Sequence, residues 1–134
     1  MRTQISIQTV AGEFVRDVET ISGQNLLACN QCGKCSSGCP VADALDMLPS
    51  AVIRLAQLGL EEVLEARTIW TCASCLTCVS RCPKDVDLPR VMEALRTIAM
   101  QRGIRPPSMA ELPDELVAEL PQLAIIGGYR KYSI

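Results

Sequence analysis

The sequence predicts an all-α fold arranged around an internal repeat. Only Phe14, Trp70, Tyr129 and Tyr132 are aromatic among 134 residues. A core without large rings must be built from Leu, Ile, Val, Ala and Met, which suits helices better than a β-sandwich. Eight cysteines form two groups of four, and each member of the second group follows its partner by 43 residues. Two copies of such a unit predict a pseudo-twofold arrangement rather than a solenoid.

Helical spacing of apolar residues places the individual elements. The predicted helices are Ala11–Ser22, Pro49–Leu58, Leu60–Arg67 and Pro89–Arg102, followed by a short one at Asp114–Leu120. The apolar face of the first comprises Phe14, Val15, Val18 and Ile21, and that of the fourth comprises Val91, Met92, Leu95, Ile98 and Ala99. Gly23, Gly59 and Gly103 are predicted to end three of these helices, because glycine adopts the left-handed conformation of a helix cap.

The chain changes character after Gly103. Residues 1–103 are predicted to form one helical domain, and residues 104–134 form a proline-rich tail broken at positions 106, 107, 113 and 121. The end of the tail, LAIIGGYRKYSI, is too apolar for a solvated linker. It is expected either to pack back on the domain or to dock on a partner.

Charge and hydropathy exclude several classes of protein. The formal net charge is −2, which gives no broad basic surface for nucleic acid. The N-terminus lacks the pattern of a secretory signal, and no stretch approaches the roughly 18 apolar residues that a membrane span requires. We therefore expect a cytoplasmic protein without a membrane span. In that compartment eight cysteines are not expected to form disulfides.

Both cysteine groups have the spacing C-x2-C-x2-C-x3-C-P, in CNQCGKCSSGCP and CASCLTCVSRCP. Three thiolates spaced two residues apart on a tight turn can reach three corners of one iron–sulfur cube. In two-cluster ferredoxins the fourth cysteine ligates the other cluster. The spacing therefore predicts two [4Fe–4S] clusters with crossed ligands. One set is Cys29, Cys32, Cys35 and Cys82, and the other is Cys72, Cys75, Cys78 and Cys39.

Other interpretations of these residues remain open. Two zinc sites of four cysteines would also use all eight thiols, but they leave the third cysteine of each trio and the Cys-Pro pairs unexplained. Arg81, Lys34 and Lys84 either offset the negative charge of the clusters or are ordinary solvated residues. Trp70 either packs in the core, which is the favoured interpretation, or shields a cluster from water.

Several catalytic signatures are missing from the sequence. It contains no histidine, which excludes His-based acid–base catalysis and Rieske ligation. It has neither a G-x-G-x-x-G dinucleotide motif nor a P-loop. Because the clusters use every thiol, none remains as a nucleophile. These observations predict an electron carrier that performs no catalysis on its own, although it can be a subunit of an oxidoreductase.

The chain resembles the HdrC family, the iron–sulfur electron-transfer subunits of heterodisulfide reductase, from about Ser22 to Gln101. The similarity covers both cysteine motifs, the LP-x-x-V-I-R-L-x-Q-L-G helix and the W-x-C-x-x-C segment. The fold that this resemblance implies is the α-helical ferredoxin, which succinate dehydrogenase and fumarate reductase also use in their iron–sulfur subunits.

The same resemblance implies partners. In the family, HdrC passes electrons from HdrA, which bears a flavin and clusters, to the catalytic protein HdrB with its cysteine-rich CCG domains. This chain contains no Cys-Cys-Gly, so disulfide chemistry would belong to an HdrB-like partner in a hetero-oligomer. The alternatives are a free-standing dicluster ferredoxin and a relay subunit of another oxidoreductase, such as a sulfur-oxidising, aromatic-ring-reducing or fumarate-reductase-like complex.

Overall fold

The structure, a computed structural model, describes residues 5–105 and 112–132, and the side chains of 129–132 are not among the atoms described. Within these ranges the chain is helical and contains no strand. The α-helices are α1 (Ile7–Val10), α2 (Glu13–Ser22), α3 (Lys34–Ser37), α4 (Pro49–Gln57), α5 (Thr68–Thr71), α6 (Thr77–Arg81), α7 (Leu88–Gln101), α8 (Asp114–Glu119) and α9 (Gln122–Tyr132). Short 3-10 turns occupy Leu26–Ala28, Ala42–Ala44 and Glu61–Glu65. The prediction of an all-α fold is confirmed.

Helices α2, α4 and α7 enclose the hydrophobic core together with the turn at Glu61–Glu65. The central element is α7, because nine of its 14 residues are buried. Val18, Val52 and Leu95 are completely buried where the three helices meet. Pro49 starts α4 at its first helical position, where a missing N–H costs nothing.

The predicted boundaries of the longer helices agree with the structure to within two residues, and the differences have local causes. Helix α2 begins at Glu13 because Gly12 is its N-cap, and it ends at the left-handed Gly23 as predicted. Ile21 was predicted on the core face, but it is 45% exposed because it lies at the edge of the apolar stripe. The predicted helix at Leu60–Arg67 is instead a 3-10 turn, and the chain extends at Ala66 before α5 starts.

Helices α8 and α9 lie in the described part of the tail. The predicted helix at Asp114–Leu120 is confirmed as α8, whereas α9 was not predicted because Gly127 and Gly128 interrupt the pattern. Leu123 and Ile126 on α9 are exposed. Pro106 and Pro107, which the sequence marks as breaks, lie outside the described residues.

No helix in the described ranges has the length and apolarity needed to cross a membrane.

Candidate metal centres

The repeat in the sequence is also a repeat in the backbone. In the first motif Gln31 and Gly33 have positive φ angles of 57° and 77°, and in the second Ser74 and Leu76 have φ angles of 52° and 64°. Each pair of left-handed residues turns the chain between successive cysteines and leads into a short helix, α3 or α6. The two loops therefore wrap their cysteines in the same way.

All eight cysteines are unpaired thiols, and they line two cavities. The first, called the Cys72 cavity, has a volume of about 430 Å³ measured out to its mouth, and its wall contains Cys72, Cys75, Cys78, Cys39 and Cys35. The second, the Cys29 cavity, has a volume of about 320 Å³, and its wall contains Cys29, Cys32, Cys35 and Cys82. Each cavity thus combines the trio of one motif with the fourth cysteine of the other, and Cys35 lies at the wall between them.

The remaining walls of the two cavities differ in chemistry. The Cys72 cavity is bounded by apolar side chains, including Leu45, Leu88 and Met92. The Cys29 cavity is bounded by polar side chains, including Lys34 and Lys84. Both lysines are exposed, so the structure places two solvated cations at the rim of one cavity.

Burial and neighbouring thiols change the acidity of the cysteines in the cofactor-free chain. Half-burial raises the pKa of Cys78 to about 11, and the nearby Cys72 adds to the effect. Burial likewise raises the pKa of Cys35. The exposed Cys75 differs: its Sγ lies 3.3 Å from Thr77 Oγ1, and a hydrogen bond from the Thr77 hydroxyl to the thiolate lowers the pKa of Cys75. Metal binding requires thiolates, so loading of these sites releases protons.

Hydrogen bonds from the protein also reach the sulfur atoms. The Val86 amide N–H donates to Cys82 Sγ at 3.3 Å, and Gln31 Nε2 donates to Cys29 Sγ at 3.7 Å. Such bonds stabilise negative charge on sulfur and favour the reduced state of an iron–sulfur centre.

The two motifs touch each other through Gly38 and Arg81, which occupy corresponding positions before the Cys-Pro pairs. A Cβ built on Gly38 would lie 2.6 Å from Nη1 of Arg81. Glycine at one position therefore leaves room for arginine at the other. The Arg81 guanidinium therefore lies beside Gly38, the residue that immediately precedes Cys39.

Two buried polar residues, whose role the sequence did not indicate, each fix the start of one motif. Gln57 Nε2 donates to the carbonyl oxygens of Leu26 at 2.7 Å and Cys29 at 3.0 Å. Arg96 donates through Nη2 to the carbonyl oxygen of Cys72 at 2.8 Å and through Nε to that of Ile69. One feature of the sequence could have indicated Arg96, namely that it is a charged residue on the apolar face of α7. Trp70 packs against the edge of the core, in agreement with its favoured interpretation.

The donor sets fit iron–sulfur clusters. Within residues 5–105 and 112–132, no three Cys, Asp or Glu side chains come close enough together to hold a single metal ion. The thiols instead stand around the walls of cavities, as ligands at the corners of a larger inorganic group do. Soft thiolate ligands in sets of four are the donors that [4Fe–4S] clusters use.

Residues 25–86 match the family model described as a 4Fe–4S dicluster domain. The chain is 36% identical over 107 residues to the iron–sulfur C2 subunit of the CoB–CoM heterodisulfide reductase of Methanocaldococcus jannaschii, covering 74% of this chain and 58% of that protein. The chain belongs to the HdrC-like family of 4Fe–4S dicluster proteins. The eight cysteines and the dicluster domain fit two [4Fe–4S] clusters.

Further relatives agree with this assignment to the HdrC-like family. The chain is 39% identical over 79 residues to the C2 subunit of the H(2)/formate:CoB-CoM heterodisulfide,ferredoxin reductase of Methanococcus maripaludis, covering 59% of this chain and 43% of that protein. It is 31% identical over 103 residues to the C-type subunit of the ferredoxin:CoB-CoM heterodisulfide reductase of Methanosarcina acetivorans, covering 77% and 42%. The HdrC-like chain thus spans about half the length of the curated relatives it matches.

Proposed function

We propose that the chain is an electron-transfer subunit in which Cys29, Cys32, Cys35 and Cys82 hold one [4Fe–4S] cluster and Cys72, Cys75, Cys78 and Cys39 hold the other. The observation that carries this proposal is the lining of the cavities, since each contains the trio of one motif and the fourth cysteine of the other. Each cluster supplies one-electron redox chemistry. The protein holds both sites beside one wall, at Cys35, so that the distance between them is short.

The proposed role is a relay between an HdrA-like protein, which bears a flavin and clusters, and an HdrB-like catalytic protein with CCG domains, in a complex of the heterodisulfide reductase type. The names of the relatives support it, because each describes a subunit of a heterodisulfide reductase. In this proposal the chain performs no bond chemistry itself. We place it in the cytoplasm, because eight ligand thiols need a reducing compartment.

The crossed ligand sets are tested by pairs of cysteine-to-alanine substitutions. Cys39→Ala and Cys75→Ala remove ligands of the same proposed cluster, so the double variant should lose about half of the iron, as each single variant does. Cys39→Ala combined with Cys32→Ala damages both proposed clusters and should lose nearly all of it. The measurement is iron and acid-labile sulfide per chain after anaerobic purification. If the second pair retained half of the iron and the first pair lost nearly all, the crossed assignment would be wrong.

The relay is tested by anaerobic affinity purification of the chain from its native host. We expect a flavoprotein and a CCG-domain protein to co-purify, with electron flow from the flavin to the clusters visible as bleaching of their absorbance. If the chain is recovered alone as a brown protein, the proposal that it binds two clusters stands, but the result would indicate a free-standing ferredoxin instead of a relay subunit.

We also propose that residues 1–103 form the cluster-carrying domain and residues 104–134 a separate tail. The support is the contrast in packing. The core elements up to α7 enclose buried side chains, whereas Leu116, Leu123 and Ile126 in the tail are exposed.

A further inference from the structure

The two halves of the molecule present the same pair of backbone carbonyls to a buried side chain. In the first half the pair belongs to Leu26 and Cys29, and in the second half it belongs to Ile69 and Cys72, each 43 residues later. Gln57 on α4 donates to the first pair, and Arg96 on α7 donates to the second. The two side chains thus perform the same mechanical task at equivalent sites, which is to fix the segment that leads into the first cysteine of each motif.

The chemistry of the two donors differs. Gln57 is a neutral amide, whereas Arg96 carries a guanidinium that keeps its positive charge in proteins. Arg96 is only 1% exposed, so water and salt screen its charge weakly. Its Nη2 lies 2.8 Å from the carbonyl oxygen of Cys72. The second half therefore contains a buried cation in contact with a ligand residue, at a place where the first half has an uncharged group.

The difference in charge between Arg96 and Gln57 matters because the walls of the two cavities also differ. Among the described residues, those that line the Cys72 cavity include no Asp, Glu, Lys or Arg, and apart from the cysteines most of them are apolar. The Cys29 cavity has Lys34 and Lys84 in its wall. An apolar wall disfavours any added negative charge, since it replaces water by a medium of low polarity. Arg96 supplies positive charge to the Cys72 cavity from behind its first ligand.

Glu93 opposes part of this charge. Its Oε2 lies 2.7 Å from Arg96 Nη1, one turn earlier on α7. The side chain of Glu93 is 52% exposed, however, whereas that of Arg96 is 1% exposed. Solvent therefore screens the carboxylate more strongly than the guanidinium, and a net positive contribution remains at Cys72.

We infer that Arg96 is a positioning residue for Cys72 that also raises the reduction potential of the cluster held at the Cys72 cavity, without equal effect on the cluster at the Cys29 cavity. A cation near these thiolates stabilises the reduced state, which carries one more negative charge. This inference rests on the proposed ligand sets. It adds that the protein tunes its two similar sites separately, and that the exchange of Gln57 for Arg96 is one of the differences that do so.

The test is an anaerobic redox titration of the cluster-loaded full chain, followed by electron paramagnetic resonance. Arg96→Gln replaces the cation by the amide that the first half uses. We expect one of the two one-electron waves to move to lower potential, with the ratio of reduced to oxidised cluster falling on the order of tenfold at fixed potential. That change corresponds to about 59 mV for a one-electron couple. The other wave should stay within a small fraction of that shift.

Glu93→Gln provides the opposite perturbation, because it removes the opposing carboxylate and leaves the buried cation in place. We expect it to move the same wave to higher potential. A purely structural role of the Arg96–Glu93 pair would not produce shifts of opposite sign. Arg102→Gln is the matched control, since it removes an arginine from an exposed ion pair with Glu61 just beyond the same helix and should move neither wave.

The iron content of each protein distinguishes a failure of the proposed function from a failure of the inference about Arg96. Wild-type protein that binds fewer than two clusters would contradict the proposed function and not the role of Arg96. Fully loaded Arg96→Gln protein with both waves unmoved, or with both moved equally, would overturn the inference. If Arg96→Gln protein does not load, Glu93→Gln decides alone: an upward shift of one wave supports the inference, and any other result overturns it.

Discussion

At the scale of single residues, Asp46 organises the approach to Cys72. Its Oδ2 accepts from the Arg67 amide N–H at 2.8 Å, and its Oδ1 accepts from the amide N–H and the hydroxyl of Thr68 at 2.8 Å and 2.6 Å. Partial burial raises the pKa of Asp46, but the hydrogen bonds from Thr68 and Arg67 outweigh it, so the pKa lies below its usual value. Asp46 therefore caps the start of α5, and Cys72 is the C-cap residue of the same helix.

Asp46→Asn should lower the free energy of unfolding by about 1–2 kcal/mol, because it replaces one of the two accepting oxygens by an amide donor that faces the Arg67 N–H. Anaerobic chemical denaturation followed by circular dichroism measures the change. Asp43→Asn, on the exposed neighbouring turn, is the control and should stay within about 0.5 kcal/mol of wild type. Equal losses in the two variants would contradict the capping role.

The lowered pKa of Asp46 also sets the pH range of its contribution. A carboxyl whose pKa is lower in the folded state contributes fully above the unfolded value of about 3.9, and the contribution is lost as pH falls through the folded pKa. The difference between wild type and Asp46→Asn should therefore stay constant from pH 8 to about pH 5. A difference that shrinks within that range would show that another group causes it.

At the scale of elements, α1 is attached to the end of α4 by a close backbone approach. Gly59 follows α4 with a φ angle of 69°, and a Cβ built on it would lie 2.0 Å from the carbonyl oxygen of Thr9. The same Cβ would lie 3.4 Å from Val15 Cγ2. Glycine is needed at this position for two reasons, namely the left-handed conformation and the contact with α1.

Gly59→Ala should destabilise the protein by about 2–3 kcal/mol and detach α1, since both the strain and the clash must be relieved. Gly103→Ala is the matched control: Gly103 also follows a long helix, with a φ angle of 79°, but a Cβ there meets nothing within 4 Å. The control should lose only about 1 kcal/mol. Hydrogen exchange of the Ala11 amide, which donates to the Ile7 carbonyl oxygen at 3.0 Å, reports the state of α1. Unchanged protection in Gly59→Ala would contradict this account.

At the scale of the whole molecule, the core ends just beyond α7. Ile104 packs against the core, and its amide N–H donates to the Ala99 carbonyl oxygen at 2.9 Å. The next described helices, α8 and α9, carry exposed apolar side chains. The last residue that the cluster-carrying part requires is thus close to Ile104.

A chain that ends at Arg105 should therefore bind as much iron and sulfide as the full chain, as measured by anaerobic metal analysis and visible absorbance. A chain that ends at Arg102 is the control. It lacks Ile104 and should be less stable by about 1–3 kcal/mol, because a half-buried isoleucine and its hydrogen bond are lost. Loss of iron from the longer chain would move the domain boundary into the tail.

The sequence by itself determined the cofactor class, the all-α fold and, to within two residues, the ends of α2, α4 and α7. These features are local: the cysteine spacing lies within eleven residues of chain, and the apolar stripe and terminal glycine of α7 lie within sixteen. The short helices α3 and α6 were not predicted, because four or five residues are too few to show a helical period. The crossed ligand sets stay a prediction.

The tertiary structure alone decided which side chains support the two sites. Gln57 and Arg96 reach carbonyl oxygens on segments 24 to 31 residues away, and no spacing rule connects a side chain to a carbonyl at such a separation. The apolar wall of one cavity and the lysines of the other likewise come from several segments brought together by packing. Ligands are encoded by neighbouring residues, whereas the charge and polarity around them depend on how distant helices pack.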